Sequence, residues 1–212
     1  MYVPAAFAFD EQEHQYDFID RFGFATVIAQ GETGLDASHL PLLLDRTRGV
    51  LFGHMARVNP MVAQIEAGSE VLAIFHGPHG YISPVWYESE AMVPTWNYSV
   101  VHVSGRLRLH NEPEAMIDSL HRLIRHFDRA PEQALAKSNR MLPGLLNGIV
   151  GFELPIAQIT GKHKLGQNRS APDRAGLFAG LSRAAEPEGR ALAAWMTELG
   201  LVDGTIEAGE PV

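Results

Sequence analysis

Phe24-Ala-Thr-Val-Ile-Ala-Gln30, closed by the turn residues Gly31 to Gly34 and followed by a second extended run from Leu35 to Leu44, is the stretch on which the fold turns. β-Branched and apolar residues fill both runs, and glycines separate them, which is the signature of a hairpin. A further turn at Asp45 to Gly49 leads to a third strand, Gly49 to His54. Asn59-Pro60 then opens a helix, because the Asn side chain can cap it and Pro is tolerated in its first turn; Gly68 ends it. Two more strands are expected at Glu70 to Phe75 and Tyr81 to Pro84, separated by the turn-rich His76-Gly-Pro-His-Gly80. Trp96 to Leu109 reads as one long strand bent at Gly105, and Ile149 to Ile159 as another, interrupted at Pro155.

Helices frame this meander. Asp10 and Glu13 can cap a first helix that runs through Tyr16, Ile19 and Asp20 to a stop at Gly23. Met116, Ile117, Leu120, Leu123, Ile124 and Phe127 recur at helical spacing near 113–129, and Pro187 to Leu199 carries the last helix. No internal repeat or long linker divides the chain. The expectation is a single domain over 1–212, mainly β with helices: an α+β, small antiparallel barrel with peripheral helices.

The 212 residues carry a net charge of −8 and no cysteine. A disulfide framework, a thiolate nucleophile and cysteine-based metal sites are therefore excluded. The apolar runs fall short of the ~20 residues that a membrane span needs, and Met1 to Asp10 lacks the basic start and apolar core of a secretory signal, so a cytoplasmic protein with no membrane partner is expected. Net negative charge opposes nucleic-acid binding as a default, since phosphate contacts come from Lys and Arg. Charge is unevenly spread, however: Lys162 to Arg174 holds four basic residues against Asp173 alone. A small anion could be held locally by an acidic protein.

Arg57 reads either as an exposed arginine before a capped helix or as a phosphate donor beside the helix-opening amides at Asn59. Ser38, His39 and Leu40 precede Pro41, which weakens any ladder there; they could meet a ring edge or belong to a bulged structural strand. His54 and His102 read as structural or supporting imidazoles. His76 and His79 lack a completing acidic or cysteine motif, so no metal site is expected. Trp96 and Asn97 could pack, stack or hydrogen-bond. Lys162, Lys164, Gln167, Asn168 and Arg169 form a polar cluster that suits phosphate and ring contacts, against the alternative of a solvated basic loop. No P-loop, dinucleotide fingerprint, nucleophile elbow or HExxH motif is present, and no catalytic residue can be named.

Several phrases, in order, resemble the PaiB-type family of FMN-binding negative transcriptional regulators. They are Ser38-His-Leu-Pro41, Gly53-His-Met-Ala-Arg-Val-Asn-Pro60, Gly77-Pro-His-Gly-Tyr-Ile-Ser-Pro-Val-Trp-Tyr87, Val93-Pro-Thr-Trp-Asn-Tyr98, Val101-His-Val-Ser-Gly-Arg106 and Gly161-Lys-His-Lys-Leu-Gly-Gln-Asn-Arg-Ser170. That family is similar in turn to the pyridoxamine-phosphate oxidase group. The resemblance implies a flavin split barrel, a homodimer, and FMN between subunits, with Arg57 on one side and the segment Lys162 to Arg169 on the other. It implies FMN contacts from Ser38, His39, Leu40, His54, Arg57, Asn59, Trp96, Asn97, Lys162, Lys164, Gln167, Asn168 and Arg169. The oxidases' terminal Arg-Leu-His phrase is replaced by Asn168-Arg169-Ser170-Ala171, so pyridoxamine-phosphate oxidation is not expected. Repression is the function implied, with DNA contacted directly or indirectly, since no basic recognition helix is evident. The alternative is a flavin-dependent oxidoreductase or electron carrier, and then a haem-binding protein, on the same scaffold.

Overall fold

The computed structural model describes all residues except 32, 33, 91, 140 and 203–212. Its strands are β1 (Ala8–Phe9), β2 (Phe24–Gly31), β3 (Gly34–Pro41), β4 (Leu43–Asp45), β5 (Val50–Ala56), β6 (Glu70–Ile82), β7 (Thr95–Arg106), β8 (Arg108–His110), β9 (Ile149–Pro155) and β10 (Gln158–Lys164). The helices are α1 (Gln12–Arg21), α2 (Met61–Glu66), α3 (Pro113–Phe127), α4 (Pro131–Ser138), α5 (Leu142–Leu145), α6 (Ala171–Ser182) and α7 (Pro187–Glu198). They form two compact units: a first of Met1–Gln15, His76–Val101 and the chain from Thr160 onward, and a second of Tyr16–Phe75 and His102–Ile159.

In the second unit, β2 is the centre of one sheet: it pairs antiparallel with β3, from Phe24 opposite Pro41 to Gly31 opposite Gly34, and with β6, from Ala25 opposite Phe75 to Ala29 opposite Val71. The two residues at the tip of the expected Gly31–Gly34 turn lie outside the described residues. A second sheet has the order β4-β5-β9-β8, also antiparallel. Alternation along β2 buries Ala25, Val27 and Ala29, and along β6 Val71, Ala73 and Phe75; Phe18, Ile19, Leu51, Phe152 and Leu154 complete a dry core.

Two expected single strands are each divided between sheets. The run Leu35 to Leu44 breaks after Pro41, which has no amide to donate; the Leu42 amide turns to the Gly23 carbonyl at 2.8 Å and its side chain is buried. Trp96 to Leu109 becomes β7 and β8, and the bend lies where Gly105 was expected to permit it. A Cβ on Gly105 would stand 2.3 Å from the Pro155 carbonyl oxygen, so the backbones can approach there only at a glycine. Asn59 does cap α2, its Oδ1 accepting from the Met61 amide at 2.9 Å, and Gly68 ends that helix at φ +83.

In the first unit, the neighbours run β1-β10-β7-β6, with β1 antiparallel to β10. Two expectations are corrected here. His76 to Gly80 is not a turn: β6 passes through it without interruption, alternation of burial continues, and Pro78 lies beyond the last residue that pairs with β2. The expected strand from Ile149 to Ile159 is two strands, and Lys162 and Lys164 sit on the second of them, β10, instead of on a loop.

Helices α6 and α7 close this unit over Ile82, Val101, Leu165 and Leu177. Helix α6 is the main element absent from the sequence expectation, although Ser170-Ala-Pro-Asp173 carries its start: the Ser170 hydroxyl accepts from the Asp173 amide at 3.3 Å. Its Gly176 and Gly180 admit the segment at Trp86. A Cβ at Gly180 would lie 2.2 Å from the indole. Gly180→Ala should therefore destabilise the protein by about 1–3 kcal/mol through overpacking, seen as a lower urea midpoint with an unchanged slope.

Candidate functional site

In the second unit, β3 presents Ser38 and Leu40 half-buried and His39 exposed. The Ser38 Oγ accepts from Asn59 Nδ2 at 2.9 Å, so one side chain caps α2 and anchors β3 together. Arg57 is exposed but committed: Nε donates to the Asn147 carbonyl at 3.0 Å, Nη1 to Asn111 Oδ1 at 2.8 Å and Nη2 to the Ile149 carbonyl at 2.6 Å. His54 stands opposite Gly151 on β9, and His110 flanks the same glycine from β8. The His110 ring fills the space a Gly151 side chain would take, 2.4 Å from its Cβ position. Burial pushes the His54 imidazole below its ordinary pKa, keeping it neutral. The structure thus joins Ser38 to Asn59, and ties Arg57 to the segment before β9.

In the first unit, the polar cluster divides. Lys162 is buried, donates to the Tyr2 carbonyl at 3.2 Å and lies between the Tyr2 and Tyr98 rings, 5.7 and 5.4 Å from their centroids. Gln167 spends both ends of its amide on its own turn, donating to the His163 carbonyl at 2.7 Å and accepting from the Leu165 amide at 2.8 Å. Lys164, Asn168 and Arg169 instead line a cavity of about 240 Å³ together with Asn97, Thr95, Gly166 and Tyr87. Lys164 Nζ donates to the Trp96 carbonyl at 2.9 Å and to the Thr95 hydroxyl. Burial draws its pKa down, and the nearby Lys162 and Arg169 charges act in the same direction.

Asn97 is the decisive side chain. It is 2 % exposed, it faces this cavity, and its Nδ2 has no hydrogen-bond partner. A buried amide donor left without an acceptor costs about 1–3 kcal/mol, so such a group points to a ligand that supplies one. Lys164 and Arg169 add cationic donors, and among the described residues lining the cavity there is no carboxylate. The set suits phosphate or carbonyl oxygens.

Tyr87, one of the aromatics able to stack on a flavin or to pack, lines this cavity, and Asp173, to which sequence reasoning gave no role, fixes the segment that carries it. Tyr87 lies under the Arg169 guanidinium, 5.6 Å from its centroid. Asp173, 2 % exposed, accepts from the Glu88 and Ser89 amides at 2.9 and 3.0 Å and from the Ser89 hydroxyl at 2.7 Å. The Ser89 hydroxyl, backed by those amides, holds the carboxyl below the usual aspartate range. Trp96, one residue from Asn97 along β7, is half exposed and stands beside Tyr81 and His79 in a different cavity.

Residues 1–158 match the sequence profile of the family described as "Putative FMN-binding domain". The chain belongs to this family. Membership gives it a flavin cofactor, FMN. The chain is similar to "Protease synthase and sporulation protein PAI 2" of Bacillus subtilis (strain 168), with 31% identity over 203 residues, 93% of this chain and 97% of the relative. Among solved structures it is similar to a flavocytochrome of Azotobacter vinelandii, at 14% identity and TM-score 0.59 over 74% of this chain and 69% of that one. It is equally similar to an FAD- and haem-binding protein of Mycobacterium smegmatis, at 16% identity and TM-score 0.59 over 73% and 71%. At such identities the likeness concerns the fold, which is the antiparallel α+β architecture of the flavin split barrel, as expected from the sequence. Among the described residues no helix is long and apolar enough to cross a membrane. The family profile ends at residue 158, so the cationic side of the small cavity lies beyond the matched residues.

Next to this cavity, His163 is buried, stacked on Phe9 at 3.8 Å, and shares a 2.8 Å hydrogen bond with Ser99 Oγ, which also accepts from Trp195 Nε1 at 3.0 Å. Burial pushes its pKa down from 6.5 to about 4. A native pKa below the unfolded one means that the unfolded chain takes up the proton first, so stability is full above pH 6.5 and falls as pH drops towards 4. The loss should approach roughly 3 kcal/mol over that window, and His163→Gln should flatten it in urea titrations at successive pH values.

Proposed function

We propose that the protein is an FMN-binding negative transcriptional regulator of the PaiB type, a cytoplasmic homodimer built on one domain whose DNA contact is indirect. The observation that carries the cofactor part is the unsatisfied Asn97 amide in a cavity whose charged lining is cationic. In this reading Lys164, Arg169, Asn97 and Asn168 hold oxygens of FMN, while Lys162 and Gln167 fix the strand and turn that present them. In the second unit Ser38, His39, Leu40, His54, Arg57 and Asn59 are proposed as flavin-facing positions, with Arg57 as an anion partner. When bound, FMN would supply one- and two-electron chemistry; the protein's part is to bind and orient it. The regulatory part is supported by the 31% identity to a protein named for protease synthesis and sporulation, across nearly the whole of both chains. Indirect DNA contact is supported by the net charge of −8.

FMN titration, followed by quenching of flavin fluorescence, tests the cofactor reading. Lys164→Ala and Asn97→Leu should each weaken binding about tenfold or more, the size of a lost hydrogen bond to a charged group. FMN should also raise the dimer fraction and melting temperature, by mass action on the assembled state. Unchanged affinity in both folded variants would reject the assignment. Repression would be tested by a gel shift at controlled salt with and without FMN. A specific complex formed by the protein alone would overturn indirect contact.

A further inference from the structure

Arg169 differs from the other residues that line the small cavity in that contacts inside the first unit hold both its main chain and its guanidinium. Its amide donates to the Gly166 carbonyl at 2.9 Å, and its own carbonyl accepts from Arg174 Nη1 at 2.8 Å. The guanidinium lies over the Tyr87 ring, 5.6 Å from the centroid. The stem of the side chain and the unsatisfied Asn97 amide converge on Gly166, whose Cβ position is 3.9 Å from Arg169 Cγ and 3.8 Å from Asn97 Nδ2. Among the described residues no carboxylate pairs with Arg169. An arginine in this place needs such a hold. Repulsion between its charge and that of Lys164, and the rotamer freedom of a long side chain, would both carry the guanidinium into solvent. The electron-rich face of Tyr87 opposes that movement.

Tyr87 is fixed in turn from Asp173. The residues that follow it, Glu88 and Ser89, give both their amides and the Ser89 hydroxyl to the buried Asp173 carboxylate. On the other side Trp86, which lines a larger, aromatic cavity of about 760 Å³ with Trp96 and Tyr81, is seated against Gly176 and Gly180. Asp173 stands in the first turn of α6, just after Arg169, its amide bonded to the Ser170 hydroxyl at 3.3 Å. The contacts therefore close a ring from Arg169 through the start of α6 to Asp173, Ser89, Tyr87 and back to Arg169. Both oxygens of Asp173 are taken by the donors of this segment, so it reaches the cavity only through Tyr87. We propose that Asp173 and Tyr87 are positioning residues that hold Arg169 for the phosphate of the flavin, and so set the site's preference for a phosphorylated flavin over an unphosphorylated one. The inference rests on the flavin reading above and adds the target of Arg169. A planar guanidinium fork matches phosphate oxygens two at a time, and a fork already held in place gives up least freedom in doing so.

Fluorescence-quenching titrations of the full chain with FMN and with riboflavin, which differ only in the phosphate, test this. FMN should bind the wild-type protein at least about tenfold more tightly than riboflavin. Tyr87→Leu and Asp173→Ala should each lower FMN affinity about fivefold and leave riboflavin affinity unchanged. Tyr87→Phe, which keeps the ring face, and Asp173→Asn, which keeps an acceptor for both amides, should restore the preference. Arg169→Ala should lose about tenfold for FMN, and Tyr87→Leu added to it should cost nothing further, since Tyr87 acts through Arg169. Urea midpoints show which variants fold, and the Tyr87 series carries the test if Asp173→Ala does not. A parallel fall for FMN and riboflavin would mean a general structural role and would overturn the proposal. So would additive losses in the double variant, or an unchanged FMN-to-riboflavin ratio in folded Tyr87→Leu. Flavin binding by the wild-type protein without preference for FMN would overturn it too, with the flavin reading intact. Binding of neither flavin would reject the flavin reading itself, and this inference with it.

Discussion

The Asp173 carboxylate is buried among three donors from Glu88 and Ser89, and much of the first unit depends on that arrangement. An ionised carboxylate removed from water is tolerable only when its lone pairs are met by hydrogen bonds, so the segment after Trp86 cannot move from the start of α6 without exposing an unpaired charge to an apolar interior. Tyr87 is thereby held beneath Arg169, and Trp86 against Gly176 and Gly180. The small polar cavity and the large aromatic one share this clamp, because residues 86 and 87 each line one of them.

The small cavity then follows from what its side chains do not do. Lys162 and Gln167 are spent on the chain's own carbonyls and amides, whereas the Asn97 Nδ2 is buried and unsatisfied. Burial, more than the neighbouring Lys162 and Arg169 charges, disfavours the charged form of Lys164. A ligand rich in oxygen acceptors would relieve both costs, and the proposed reading takes that ligand to be the family's cofactor.

Local pattern made the strands around Phe24 to Gln30, the Asn59 cap, the Gly68 stop and the helices starting at Pro113 and Pro187 legible in the sequence. The strand breaks were less so, because they depend on distant partners: Gly105 bends against Pro155, and Leu42 leaves its strand for Gly23. His76-Gly-Pro-His-Gly80 looks like a turn by composition, yet burial alternation carries β6 through it. Helix α6 did leave a readable signal, the Ser170 cap with Pro172 and Asp173 in the first turn. The basic cluster was recognisable as a group, but not its division. Lys162 is bound by Tyr2, 160 residues away in sequence, and Arg57 by residues 90 and 92 positions on, contacts that no spacing within one sequence reveals.

The central claim is that Asn97 and Lys164 meet oxygens of FMN. A crystal structure of the protein grown with FMN measures this directly. The account predicts flavin oxygen atoms within hydrogen-bond distance, about 2.7–3.2 Å, of Asn97 Nδ2 and Lys164 Nζ. Bound FMN that leaves both groups without a flavin oxygen would contradict it.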